Sequence, residues 1–194
     1  ISYSKKNYNI KSEKKLNILV LGGSQAAMIF GEKLPNIFRQ CVDEGVALKI
    51  YQHCLPYQSE QLSSFYKKNK IDYEIFNFSY NLCEYFDKTN LAITRSGSSM
   101  LAELTNANIP FISIPLPTSA DNHQLKNAIY YQKKKYSFLI EEKFLDVKLQ
   151  TLLKSIFEDS SILSQIKHYQ GQHSDKNVYK NITQELKKII DEKN

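Results

Sequence analysis

Arginine is nearly missing from these 194 residues: Arg39 and Arg95 are the only two, so lysine carries almost all of the formal charge of +6. The lysine clusters at Lys67-Lys68, Lys133-Lys134-Lys135 and Lys187-Lys188 are scattered and lack arginine or aromatic interleaving, which argues against a nucleic-acid groove. They read as solvated helix faces, with weak attraction to an anionic membrane surface as a secondary role. Cysteine is also scarce. Cys41, Cys54 and Cys83 are odd in number and lack any CxxC spacing, so neither a disulfide framework nor a zinc site is expected, and the thiols read as reduced core residues. Long hydrophobic runs are absent too: Leu16 to Gly23 and Ile109 to Leu116 are far too short to cross a bilayer. With no charged-then-apolar leader, a cytoplasmic domain is expected.

Missing motifs narrow the chemistry further. Neither GxGxxG nor GxxxxGK[ST] occurs, so hydride transfer and P-loop ATP hydrolysis lose their usual signatures. No Ser-His-Asp order or pair of carboxylates stands out. His53, His168 and His173 have no partners at metal-ligand or triad spacing, which leaves a hydrolase without support and no metal site. There is no internal repeat and no low-complexity segment.

What is present is the composition of one globular α/β domain, 42% hydrophobic and 24% charged. Ile1 to Lys15 is polar and lysine-rich and is read as a linker or inter-domain tail; with Ile rather than Met first, a preceding part is expected. From residue 16 to 194, apolar runs of strand length alternate with helical patterns, the signature of a Rossmann-like parallel sheet with helices on both faces. The pattern predicts strands over Asn17 to Leu21, Val46 to Gln52, Tyr73 to Phe78, Leu91 to Thr94, Phe111 to Ile114 and Ser137 to Ile140. Helices fall between them, followed by helices near Val147 to Phe157, Ser161 to Tyr169 and Asn177 to Ile190.

In open α/β sheets ligands bind beyond the carboxyl ends of the strands, where helix N-termini converge. Four segments fall there: Gly22 to Gln25 after the first strand, Phe78-Ser79 after the third, Arg95 to Glu103 after the fourth and Pro115 to Asn127 after the fifth. Gly22-Gly23-Ser24-Gln25 follows the first strand and offers close backbone approach and a hydroxyl, or is a plain turn capped by Ser24. Arg95-Ser96-Gly97-Ser98-Ser99-Met100-Leu101-Ala102-Glu103 follows the fourth and reads as a strand ending in a helix start built for a phosphate, because free N–H groups there carry roughly half a positive charge. Arg95 anchors this loop or meets the phosphate, or is a surface ion pair. Glu103 can accept from both hydroxyls of a ribose, or merely complements the helix dipole; Met100, three residues before it, rules out a capping box. Asp121-Asn122-His123-Gln124 opens another helix with Asn127 one turn on. There Asp121 and Gln124 form a capping box, or His123 and Gln124 meet sugar hydroxyls.

The segments ILVLGGSQAA, TRSGSSMLAEL, IPFISIPLP and DNHQLKNA, in this order and spacing, resemble the C-terminal half of the MurG family, the N-acetylglucosaminyltransferases of bacterial peptidoglycan synthesis. The resemblance runs from Asn17 to the C-terminal helix. It implies the C-terminal half of a GT-B glycosyltransferase, which holds the donor UDP-N-acetylglucosamine. A separate N-terminal domain, expected on the cytoplasmic face of the bacterial inner membrane, would bind lipid I and supply the catalytic base. By motif position Ser24 and Gln25 resemble the phosphate-side loop, Ser98, Ser99 and Met100 the helix start at the diphosphate, and Glu103 the ribose acid. Ser79 falls where the family's backbone reads the uracil edge, and His123 and Gln124, with Asn127 nearby, match contacts to the transferred sugar. Ala26 stands where a glycine is usual after GGSQ, and Ser99-Met100 also depart from the usual residues. The implied reaction inverts the anomeric carbon, forms lipid II, needs no metal or other cofactor, and leaves no catalytic residue in this chain. A donor-binding subunit of a split transferase is the alternative; a UDP-sugar epimerase lacks an acid/base pair.

Overall fold

The computed structural model describes residues 14–22, 26–77 and 82–172. Six parallel strands, β1 (Leu16–Leu21), β2 (Leu48–His53), β3 (Asp72–Phe76), β4 (Leu91–Thr94), β5 (Phe111–Ser113) and β6 (Ser137–Leu139), form one sheet in the order β3-β2-β1-β4-β5-β6. The helices are α1 (Ala26–Asp43), α2 (Ser59–Lys68), α3 (Cys83–Phe86), α4 (Ser98–Asn106), α5 (His123–Lys133), α6 (Leu145–Glu158) and α7 (Ser161–Gly171). All six expected strands are present, each within two residues of its expected start. The helix expected over Asn177 to Ile190, and Phe78 at the end of the third strand, lie outside the described residues.

Strand alternation sends successive side chains to opposite faces, and each face finds its own helices. Ile18 and Val20 join Ile50, Ile93 and Ile112 under α1, α2 and α6, where Phe30, Phe38, Tyr66, Leu149 and Leu153 are buried. Leu19, Leu21, Ala92 and Phe111 pack on the other face against Leu101 and Leu104 of α4. Burial of each such side chain contributes roughly 1.5–3 kcal/mol, which is why a strand as short as β5, with Phe111 and Ile112 buried, holds its place. The order of chain connection reverses between β1 and β4, which are direct neighbours in register Ile18↔Leu91 to Leu21↔Thr94. Past their carboxyl ends α1 and α4 pack on opposite faces of the sheet, the arrangement that leaves a crevice in open α/β sheets.

Two of the three thiols match their expected place in the core; Cys83 does not. It is exposed on the single turn α3, whereas Cys41 and Cys54 are buried. Burial, with Glu44 nearby, pushes the Cys41 thiol up to about 12, so almost no thiolate exists there at pH 8. Mass spectrometry of the native protein after brief alkylation at pH 8 should find Cys83 modified and Cys41 untouched. Rapid labelling of Cys41 would contradict this packing.

Candidate functional site

The crevice beside β1 and β4 is built around the connection Arg95-Ser96-Gly97. Gly97 is the N-cap of α4 with no side-chain cap, and the first helical bond runs from the Leu101 N–H to the Gly97 carbonyl at 3.1 Å. The N–H groups of Ser98, Ser99 and Met100 therefore precede the first intrahelical bond and point outward with the positive end of the helix dipole. Ser98 and Ser99 are exposed and Met100 half-buried, so both hydroxyls border this amide cluster.

Glu103 is exposed, one turn beyond Ser99 on the same side of α4. It lies past the first turn, which itself contains no acid, so the helix-dipole explanation loses most of its force. No hydrogen bond or ion pair joins its side chain to another described residue. Leu101 is different: its side chain is fully buried under the sheet and its N–H is taken by Gly97, so its place in the expected binding run is purely structural. Ala102 is half-buried and brings only a methyl group.

Arg95 is not a surface ion pair but an anchor of this loop. Its side chain is 9% exposed, its Nη1 donates to the carbonyls of Ile114 and Pro115 at 3.2 and 3.3 Å, and its Nη2 meets Glu142 at 2.5 Å. The guanidinium carbon also lies 4.9 Å from the centre of the Phe30 ring. One side chain thus ties β4 to the β5 connection, to α1 and to the turn before α6. Three of its five N–H groups are used by the protein, and Nε has no partner among the described residues, so the loop-anchoring role is the one its contacts support. Glu142, on which the clamp depends, carried no signal in sequence: it is 47 residues away and lies outside every motif.

Asp121 and Gln124 form no capping box. Asp121 and Asn122 are both in the left-handed region, φ 50° and 53°, and Asn122, the N-cap of α5, makes no side-chain cap. The Gln124 Oε1 instead accepts from the N–H groups of Ser96 at 3.2 Å and Leu116 at 3.0 Å, which leaves its Nε2 as a donor with no partner among the described residues. The His123 Nδ1 lies 2.8 Å from the Ala120 carbonyl. A carbonyl only accepts, so Nδ1 is the donor in this pair. Asn127 donates from Nδ2 to the Ser96 carbonyl at 3.0 Å. The first turn of α5 thus carries the His123 ring and a spare Gln124 donor.

Next to these residues a cleft of about 550 Å³ is lined by Met28, Ile29, Leu55, Arg95, Leu116 and Glu142, among others. Ser24, Gln25 and Ser79 lie outside the described residues. Gly97 has φ −67° and ψ 134°, ordinary extended backbone, and a Cβ built there meets no atom within 4 Å. Neither the fold nor the turn requires glycine at this point. If Gly97 is there for close approach of a nucleotide, Gly97→Ala should leave the melting temperature nearly unchanged while weakening nucleotide binding by about 1–3 kcal/mol, the usual cost of overpacking. Equal affinity in calorimetry would remove Gly97 from the site.

The model of the glycosyltransferase family 28 C-terminal domain matches residues 17–186. A UDP-N-acetylglucosamine–N-acetylmuramyl-(pentapeptide) pyrophosphoryl-undecaprenol N-acetylglucosamine transferase of Pelagibacter ubique is 35% identical over 98% of this chain and 53% of its own length. A Rickettsia bellii protein of the same name is 31% identical over 75% of this chain and 41% of its own. This chain spans about half the length of the curated relatives it matches. Among solved structures, MurG of Acinetobacter baumannii superposes with TM-score 0.74 at 23% identity, over 92% of this chain and 53% of that one. A putative UDP-N-acetylglucosamine 2-epimerase of Listeria monocytogenes gives 0.62 at 12%, over 93% and 46%. These two likenesses show a shared fold. On the extent of the family match and the identity to its relatives, the chain belongs to the glycosyltransferase family 28 C-terminal domain family.

Proposed function

We propose that this chain is the donor-binding half of an inverting transferase that moves N-acetylglucosamine from UDP-N-acetylglucosamine to lipid I, making lipid II for peptidoglycan. The relatives' names supply the reaction, and the free amides of Ser98, Ser99 and Met100 at the β1/β4 crevice carry the site. Residues 16–194 form the donor domain and 1–15 its tail. The diphosphate lies against the α4 N-terminus, the ribose hydroxyls donate to Glu103, and the sugar lies by His123 and Gln124. When the anomeric carbon breaks from UDP, charge grows on the β-phosphate, where oriented amides stabilise it without reorganising.

The proton of the attacking hydroxyl goes to a base of the N-terminal half, as the family resemblance implies. The parent enzyme works at the cytoplasmic face of the inner membrane, drawn to its anionic surface, with the acceptor held by its other half. No helix of the described residues is long and apolar enough to cross a membrane. Donor binding requires no metal ion or other cofactor in this reading, so affinity should be equal in EDTA and in magnesium.

Calorimetric titration tests the proposal. UDP and UDP-N-acetylglucosamine should bind, and ADP and GDP should bind far more weakly. Equal affinity for all three diphosphates would refute uracil readout, and no binding at all would refute the site.

A further inference from the structure

The start of α4 lacks a side-chain cap of its own, and Gly97 brings nothing to hold it. What holds it comes from α5. Gln124 and Asn127, one helical turn apart, grip both backbone groups of Ser96: Gln124 Oε1 accepts its N–H at 3.2 Å and Asn127 Nδ2 donates to its carbonyl at 3.0 Å. The same Gln124 oxygen accepts from the Leu116 N–H, so one atom joins the connections that follow β4 and β5. Ser96 is fully buried, so water cannot replace these bonds. Two consecutive left-handed residues, Asp121 and Asn122, precede α5 and bring its first turn to this point.

We infer that Gln124 and Asn127 are positioning residues for the diphosphate: they orient the Ser96 peptide, and through it the N–H groups of Ser98, Ser99 and Met100. This rests on the donor-site reading and goes beyond the sugar contacts that motif position implies. Gln124 then has two faces. Its Nε2 is turned toward the sugar because its Oε1 is held by the protein, and the amide that meets the sugar is also the one that sets the phosphate helix. Asn127 spends one Nδ2 N–H on Ser96, so toward a ligand without a sugar it acts through that backbone.

UDP separates this role from sugar contact, because it has the diphosphate and no sugar. Asn127→Leu should weaken UDP about fivefold or more. Gln124→Met should weaken UDP by a similar factor and the sugar nucleotide by more, since it also removes Nε2. Asn127→His, which restores an N–H donor, should recover part of the UDP affinity. In hydrogen exchange the Leu101 amide, whose bond to Gly97 closes the first turn of α4, should exchange faster in Asn127→Leu. Unchanged UDP affinity in Asn127→Leu, with the fold intact by circular dichroism, overturns the inference. Should Asn127→Leu fail to fold, Asn127→Ser and Gln124→Met carry the same comparison. If wild-type protein binds neither ligand, the donor-site reading itself has failed, which is a separate outcome.

Discussion

Glu103→Ala is expected to weaken UDP binding by about 1.5–3 kcal/mol, the range for hydrogen bonds to a charged group, which is roughly 10- to 150-fold in affinity. The carboxylate is exposed and joined to no other described side chain, so its removal should hardly touch folding. The loss should be in ribose recognition. Glu103→Gln keeps one acceptor oxygen and should recover part of the affinity. Titration of 2′-deoxy-UDP gives the sharper test, because deleting one hydroxyl should cost wild-type protein far more than it costs Glu103→Ala. If both proteins lose equally, the acid does not face the ribose.

The second large effect is on stability. Glu142→Ala should destabilise the fold by about 3 kcal/mol, the low end for leaving one charge of a buried pair uncompensated, since Glu142 itself is 23% exposed. Arg95 would keep its bonds to Ile114 and Pro115 yet stay buried against Phe30 without a counter-charge. Glu142→Gln, neutral but still an acceptor, should lose less. Urea unfolding measures both, and the slope against denaturant should not change. A Glu142→Ala protein as stable as wild type would mean the pair contributes nothing.

Much of the layout was legible along the chain because it rests on local rules. Apolar runs of four to six residues between helical patterns mark strands whose two faces are both covered, and Leu91 to Thr94 is bounded as expected. The helix start at Ser98 follows from small residues after a strand, and the ligand end of the sheet follows from parallel strand order. Glu103 was placed by its offset from that start. The capping box at Asp121 failed for a tertiary reason: Gln124 makes better use of its oxygen on two buried N–H groups from other connections than on its own helix.

Helix and strand periods, the Rossmann-like alternation and the family motifs are properties of neighbours in the chain, so the amino-acid order was sufficient for them. Which polar side chains face a ligand and which are consumed by the protein depends on partners brought together by folding: Glu142 to Arg95, Ser96 to Gln124 and Asn127, the sheet to Leu101. A hydrogen bond requires a partner within about 3 Å, and no local spacing specifies who stands there.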